Sequence, residues 1–545
     1  MQTTPKTYGA LLCVVLGASC ASQMALAQVA PTDAGRTLEQ TRPQAQPLPQ
    51  GPQLKLPGSA SVVMPAGGSS VQLKSVTFKG NTRLPAEQIV VAMGGSSALL
   101  KSYDLAGLRE LADRITDYYR ASGYPFARAF LPVQDLKEGR LVIEVVEGRY
   151  GKVAAESTQE GLARSAQPFL GQLRTGEVIE AKSIERATLL LSDLPGVTAT
   201  PVMAPGSVTG SGDLSVLVEQ DTAPRGGIGF DNHGSSYSGQ WRGRADILFS
   251  SVAVFGDQLS LSGVTPTPVL WTGNLTYALP LGHDGVRLQV GHSRSRYQLR
   301  GGFDGFEGSA IVNSATLSYP VIRSQRMNIG LSLAYQDKAM TDVRLTDTES
   351  KTSRVVPLVL NFDSRDEWIA GGITYGSLSM AKGDVKEVTG SKPFKRWTLD
   401  VARQQRLNSL WSVYGYVLAQ GADSNLDSSE GISLGGPSRV RAYPSGESSG
   451  DEGWLVQAEL RLSLGAWTPY AFYDHGKVRI DALPSLVTAK APDQERSGLG
   501  LGVRFQQGPW SMDVAMAQRR RGGLPTSDTT SDPQPRVWLQ TRYAY

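Results

Sequence analysis

Gly431-Ile432-Ser433-Leu434-Gly435 has the G-x-S-x-G spacing of a nucleophile elbow, in which a sharp strand-to-helix turn exposes a serine hydroxyl for acyl transfer. No helical pattern follows it, so Ser433 reads as a polar residue near a strand end. Gly95 to Ser102 (GSSALLKS) has the outline of a phosphate-binding loop, but Leu100 stands where the second glycine must be. The four histidines, His233, His283, His292 and His475, lack an H-x-x-x-H spacing suited to a metal. The residues therefore predict no catalytic constellation, no metal and no cofactor.

Two other segments carry a different chemistry. The run Gly435-Gly436-Pro437-Ser438-Arg439-Val440-Arg441-Ala442-Tyr443 lies in a Gly/Ser-rich connection between Ile432 and Trp454, with a long loop expected over 435–453. Downstream, Phe472-Tyr473-Asp474-His475-Gly476 reads as strand, and alternation puts Phe472, Asp474 and Gly476 on one face. A guanidinium fork matches a carboxylate, and shielding from bulk water strengthens such a pair. On spacing alone, two unrelated polar residues remain the simpler reading.

Composition bounds the elements that must position these residues. The 545 residues are 40% hydrophobic and 19% charged, with 60 Gly and 19 Tyr, which excludes an intrinsically disordered chain. Beyond the first thirty residues no apolar run reaches the length of a spanning helix. A formal charge of +4 with no clustered Lys/Arg stripe argues against a nucleic-acid partner. Lys6, the apolar run from Gly9 to Gly17 and Ala25-Leu26-Ala27 predict an export signal over 1–27. A lipoprotein role for Cys20 is disfavoured, because Gly17 occupies a position that wants Leu. Cys13 and Cys20 both lie inside the signal, so the mature chain is expected to carry no thiol, as suits the envelope of a Gram-negative bacterium.

Residues 28–70 read as a Pro/Gln/Gly-rich linker holding one candidate helix over 33–42. From 71 to 149 the order is β-α-α-β-β. Leu84, Ile89 and Met93 mark a first helix; Asp104 caps a second, with Leu105, Leu108, Leu111, Ile115 and Tyr118 along one face. A looser copy is expected over 150–222. From 223 to 545 helical periodicity disappears and short alternating segments recur, such as Trp454, Val456, Ala458 and Leu460 against Gln457, Glu459 and Arg461. In a soluble sandwich the polar face would be outside; in a membrane barrel it lines the interior. The final strand to Tyr545 needs a partner for its edge, and about sixteen strand-plus-loop units of roughly twenty residues fit the region, so a barrel is favoured. The fold class expected is thus α+β modules followed by a transmembrane antiparallel β-barrel.

These segments resemble one family. VTFKGNTRL from Val76, YRASGYPFARAFLP from Tyr119 and IEVVEGRYGKV from Ile143 are similar to the first POTRA module of the TpsB transporters of two-partner secretion, the haemolysin secretion/activation and haemagglutinin secretion proteins of Gram-negative bacteria. Phe230-Asp231-Asn232-His233-Gly234-Ser235 with Gly239 resembles that family's first barrel strand and turn. Val440-Arg441-Ala442-Tyr443 resembles its V-R-G-Y/F loop tip, with Ala442 where the family has Gly, and Phe472, Asp474 and Gly476 match its F-x-D-x-G strand motif.

The resemblance implies two POTRA modules, a sixteen-stranded barrel, a sixth loop folded back into the lumen and an N-terminal plug helix, for which 33–42 is the candidate. It further implies an outer-membrane pore with periplasmic POTRA modules that exports one large unfolded TpsA-type exoprotein without nucleotide. Activation of the client alongside export is compatible with the sequence. The expected partners are that exoprotein's N-terminal secretion domain, outer-membrane lipid and, during biogenesis, the barrel-assembly machinery. An exposed POTRA sheet edge would add a client strand, with grooves beside Leu105 to Tyr118 adding specificity. The alternative is an assembly or insertion factor of the same superfamily, which would usually carry more or different POTRA modules.

Overall fold

The computed structural model describes residues 33–40, 46–50, 67, 69–136, 138–266, 270–300, 303–345, 347–482, 493–528 and 532–545. The expected export signal, and Thr41 and Arg42 of the candidate helix, lie outside the described residues. In the first α+β module Ser75–Lys79 runs parallel to Arg140–Val146, which pairs antiparallel with Arg128–Phe130. The single strand expected over Val71–Lys79 is broken: Val71–Gln72 instead pairs with Ser102–Tyr103, because Leu73 turns into the core. The helices are Ala86–Met93 and Leu105–Ala121, and the Asp104 carboxylate accepts a hydrogen bond from the Gly107 N–H at 2.8 Å. That bond satisfies one of the donors a helix start leaves open.

The long helix corrects the expected binding face. Leu108, Leu111 and Ile115 are fully buried, with Ala112 and Tyr119, against Ile89, Met93, Leu141 and Ile143. They are the module's core and present nothing to a partner. The helical period carries the apolar stripe through Leu108, Ala112, Ile115 and Tyr119, leaving Tyr118 half-buried and Leu105 50% exposed.

The second module repeats the plan: Arg149–Glu156 lies parallel to Ser211–Gln220, which pairs antiparallel with Val197–Pro205, and Ala181–Ser192 packs on the sheet. The short helix Leu162–Ala166 was not anticipated, since five residues carry too little periodicity to read. This module sits on the barrel's near turns. Phe169 meets Phe255 and His283 edge-on, with centroids 6.0 and 4.9 Å away. Gly256 lets Leu194 in, for a Cβ there would lie 2.8 Å from a Leu194 methyl.

Sixteen strands then close an antiparallel barrel. They are Arg225–Asp231, Arg242–Ser250, Gln258–Pro266, Leu270–Pro280, Arg287–Gln298, Phe306–Arg323, Met327–Arg344 and Asp347–Asp366, followed by Gly372–Glu387, Gly390–Arg406, Trp411–Ala422, Glu452–Leu462, Trp467–Arg479, Gln494–Gln507, Trp510–Arg521 and Arg536–Ala544. Closure brings Thr541 opposite Phe230 and Tyr543 opposite Ile228. Asn232 prolongs the seam with its side chain, donating to the Val537 carbonyl and accepting from the Leu539 N–H. Trp454, Val456 and Leu460 face outward, while Gln457 and Glu459 face in and are buried. Apolar residues out and charges in is the arrangement lipid requires.

A charge on the outer face is therefore costly. Leu333→Arg, on the lipid side of the seventh strand, is expected to cost up to about 4 kcal/mol of barrel stability. Gln336→Arg, on the opposite, lumen-facing side of the same strand and only partly buried, should insert normally. Heat-modifiable gel mobility of protein folded into vesicles measures both.

Candidate functional site in the barrel lumen

Among the described residues, two segments of the chain pack against the inner face of the barrel. The first is the helix Ala34–Gln40, which begins one residue later than expected. Asp33 caps it by accepting from the Arg36 N–H at 2.8 Å, and Leu38 packs on a cluster that includes Tyr237, Tyr297, Leu299, Ala310 and Met340. The Ala34 N–H donates to Asp342 Oδ1 at 2.9 Å, and Ser428 Oγ donates to Asp33 Oδ1 at 2.8 Å. Gly35 is needed at this crossing, since a Cβ would lie 2.2 Å from Ser428 Oγ.

The second segment joins the eleventh and twelfth strands. Odd-numbered strands run away from the α+β modules, so this is the sixth turn on the far side. It begins after Ala422 and ends before Glu452, earlier at both ends than expected; Glu452 and Gly453 already belong to the wall. Inside it Ile432–Ser433 pairs with Ser449–Gly450 to form a small hairpin. Val440, Arg441, Ala442 and Tyr443 sit at its folded-back end, all buried against wall residues.

Arg441 is the centre of a charged cluster. Its Nε and Nη2 donate to the two oxygens of Asp474 at 2.9 and 2.6 Å, its backbone N–H donates to Asp474 Oδ2 at 3.0 Å, and Nη1 donates to Glu459 Oε1 at 2.6 Å. The Phe472 ring lies 3.6 Å beneath the guanidinium, in cation–π contact. Trp538 Nε1 donates to the Arg441 carbonyl at 2.7 Å. Glu459 also accepts from Arg461 and Arg504, and Arg504 donates to Asp513. Arg441, Arg461 and Arg504 thus meet Asp474, Glu459 and Asp513, and the charges cancel. Asp474 has no solvent-exposed surface, so its charge depends on these partners.

The rest of the tip is fixed by shape and backbone contacts. Ala442 keeps a negative φ and lies on Gly498, where a Cβ would stand 2.4 Å from its methyl. The wall thus accommodates the alanine found in place of the family's glycine. Tyr443 donates its hydroxyl to the Arg521 carbonyl at 2.6 Å. Gly476 admits Leu434, 2.7 Å from the position of a Cβ. Glu447, buried, accepts from Arg496 at 2.9 Å and from the Ser527 N–H at 2.8 Å.

Several members were not singled out from sequence. Glu459 was legible only as a residue needing a wet face; its place beside Asp474 follows from strand register, in which Gln457 pairs with Asp474 and Glu459 with Phe472. Arg439, two residues before Arg441 in the turn at the tip, donates instead to Glu39 of the plug at 2.5 Å. Ser433, the serine of the rejected elbow, donates to the other Glu39 oxygen at 2.8 Å. Loop, plug and wall are joined through polar groups.

Comparison with known proteins fits this arrangement. Residues 210–505 match the family described as haemolysin secretion/activation protein ShlB/FhaC/HecB, and residues 71–148 match the ShlB-type POTRA domain. The chain belongs to that family. Its relatives include the heme/hemopexin transporter protein HuxB of Haemophilus influenzae, 24% identical over 93% of this chain and 94% of that protein. The outer membrane transporter CdiB of Dickeya dadantii is 24% identical over 73% of each chain. The solved structure of CdiB from Escherichia coli shares the fold, with a TM-score of 0.71 at 20% identity over 91% of this chain and 94% of that one. The family comprises TpsB outer-membrane transporters of two-partner secretion, with periplasmic POTRA domains and TpsA-type exoproteins as partners; it is not a family of enzymes.

The contact between Ala442 and Gly498 gives a direct test of tip docking. Gly498→Ala should displace the tip and raise single-channel conductance in planar bilayers. Adding Ala442→Gly removes the opposing methyl and should restore the wild-type trace.

Proposed function

We propose that this chain is the translocation pore for one large exoprotein, captured unfolded in the periplasm by the POTRA modules and threaded through the barrel. The observation that carries the reading is a lumen closed by the chain's own plug and sixth loop, both held by exchangeable polar contacts. Such contacts can be surrendered to water as a client enters.

Capture needs an exposed sheet edge and little sequence specificity. Ser75–Lys79 and Arg128–Phe130 are the outer strands of the first module, and main-chain hydrogen bonds from either would hold an extended client segment. Leu105 and Tyr118 keep accessible surface beside that sheet and would add specificity. No nucleotide is required: a client that folds outside cannot return through the pore. Outer-membrane lipid surrounds the apolar band, and the barrel-assembly machinery would insert it.

Arg441 and Asp474 hold the loop in place in this reading, with Val440, Ala442 and Tyr443 shaping the tip and Phe472 and Gly476 its seat. Arg441→Ala strands Asp474 and takes one of three arginine partners from Glu459, a loss of about 3–5 kcal/mol for a buried pair. It should lower secretion by about tenfold while heat-modifiable barrel in the membrane is unchanged. Wild-type secretion by this variant would overturn the loop's role. Proteomics of medium and outer membrane from a deletion strain tests the function: one large exported protein should disappear while other barrels persist. A broad fall in many barrels would make the chain an assembly factor instead.

A further inference from the structure

Arg323 ends the sixth strand at the periplasmic rim, and its side chain is 1% exposed. A guanidinium has five N–H donors in a fixed fork, and here all have acceptors. Nε and Nη2 donate to the two oxygens of Asp193 at 2.8 and 2.7 Å, and Asp193 caps the C-terminus of the POTRA 2 helix Ala181–Ser192. Nη1 donates to Asn328 Oδ1 at 3.0 Å and to the Ser324 carbonyl at 3.4 Å. The remaining donor, on Nη2, goes to the carbonyl of Pro49, in the linker behind the plug helix, at 3.1 Å.

The neighbouring residue of the linker is held in the same way. The Leu48 N–H donates to Asp363 Oδ2 at 3.2 Å, and its carbonyl accepts from Arg365 Nη2 at 2.6 Å. Asp363 is itself fixed by Arg365 and by Asn328 Nδ2 at 3.0 Å. These contacts go to main-chain atoms, while the Leu48 side chain stays 41% exposed. The wall reads the linker's backbone and ignores its side chain. Beside it a cleft of about 520 Å³, lined by Gln50, Gln325, Arg326, Arg365, Gln404 and Arg406, continues along the rim.

We propose that Arg323, Asp363 and Arg365 form a clasp for extended polypeptide main chain at the periplasmic mouth, filled at rest by residues 48–49 and open to another extended segment when the linker leaves. It rests on the reading of the chain as a pore for an unfolded protein, and its occupant then is the exported chain itself. Alternate donors and acceptors bond the backbone with no demand on sequence, as a passage for a long client requires. Holding the linker first has a second effect. Arg323 shares its fork between POTRA 2 and the linker, so the clasp links the resting position of the plug to the docked POTRA module.

The test uses the full chain with Gln46→Cys and Glu367→Cys, spin-labelled and purified in nanodiscs, and reads the distance between the labels. Leu48→Ala leaves both backbone bonds and should keep the short distance. Leu48→Pro removes only the N–H given to Asp363, and should raise the released fraction by about tenfold, the effect of losing a hydrogen bond to a charged group. A free peptide with the sequence of residues 44–53, and a second with the same prolines and the other residues scrambled, should both displace the linker. Equal behaviour of the two Leu48 variants, or no displacement by either peptide, would overturn the clasp. The distances are read on isolated protein, so they stand whether or not deletion of the chain abolishes secretion.

Discussion

A buried charge must be matched where it stands, and the resting state of this transporter depends on Arg441 meeting that condition twice. Asp474 and Glu459 project from adjacent strands into a space that bulk water does not reach. Neither could remain ionised there alone, since desolvating an isolated carboxylate costs several kcal/mol. The loop supplies the missing cation. The wall therefore recruits the loop as much as the loop closes the pore, and taking the loop away leaves a lumen with a charge deficit.

The same principle organises the other contacts in the lumen. Arg439 and Arg441 flank Val440 in the turn at the loop tip, and their side chains reach different partners. One engages the plug through Glu39, the other the wall through Asp474 and Glu459. Glu447 is buried in the return limb and matched by Arg496 and by N–H groups of Thr526 and Ser527. The barrel wall is held by a closed ladder of main-chain hydrogen bonds, whereas the plug and the sixth loop are tied to it largely through side chains.

At the periplasmic end the logic changes from charge matching alone to shape plus charge. The second α+β module sets Leu190 and Leu194 into gaps left by Gly285 and Gly256, and Arg186 donates to the Pro320 carbonyl at 2.9 Å. Apolar side chains seated where a Cβ would collide make this docking specific, and the arginines at the rim orient it. The POTRA module is thereby anchored beside the mouth through which a client would enter.

The sequence alone determined the things that repeat. Alternation of Trp454, Val456 and Leu460 with Gln457 and Glu459 identified a sheet wet on one side, and the 3.6-residue period around Leu108, Leu111 and Ile115 identified an amphipathic helix. The motif around Arg441 and Asp474 was visible because both segments resemble a family. What the helix face was for could not be read there: an apolar stripe looks the same whether it meets its own sheet or a partner, and only the packing showed Leu108, Leu111 and Ile115 sealed inside. Nor could sequence place Glu459 beside Asp474, Glu39 beside Arg439, or Pro49 beside Arg323. Each pair joins residues from different segments, and their meeting is decided by strand register, by barrel closure and by where the plug lies, which are properties of the folded chain as a whole.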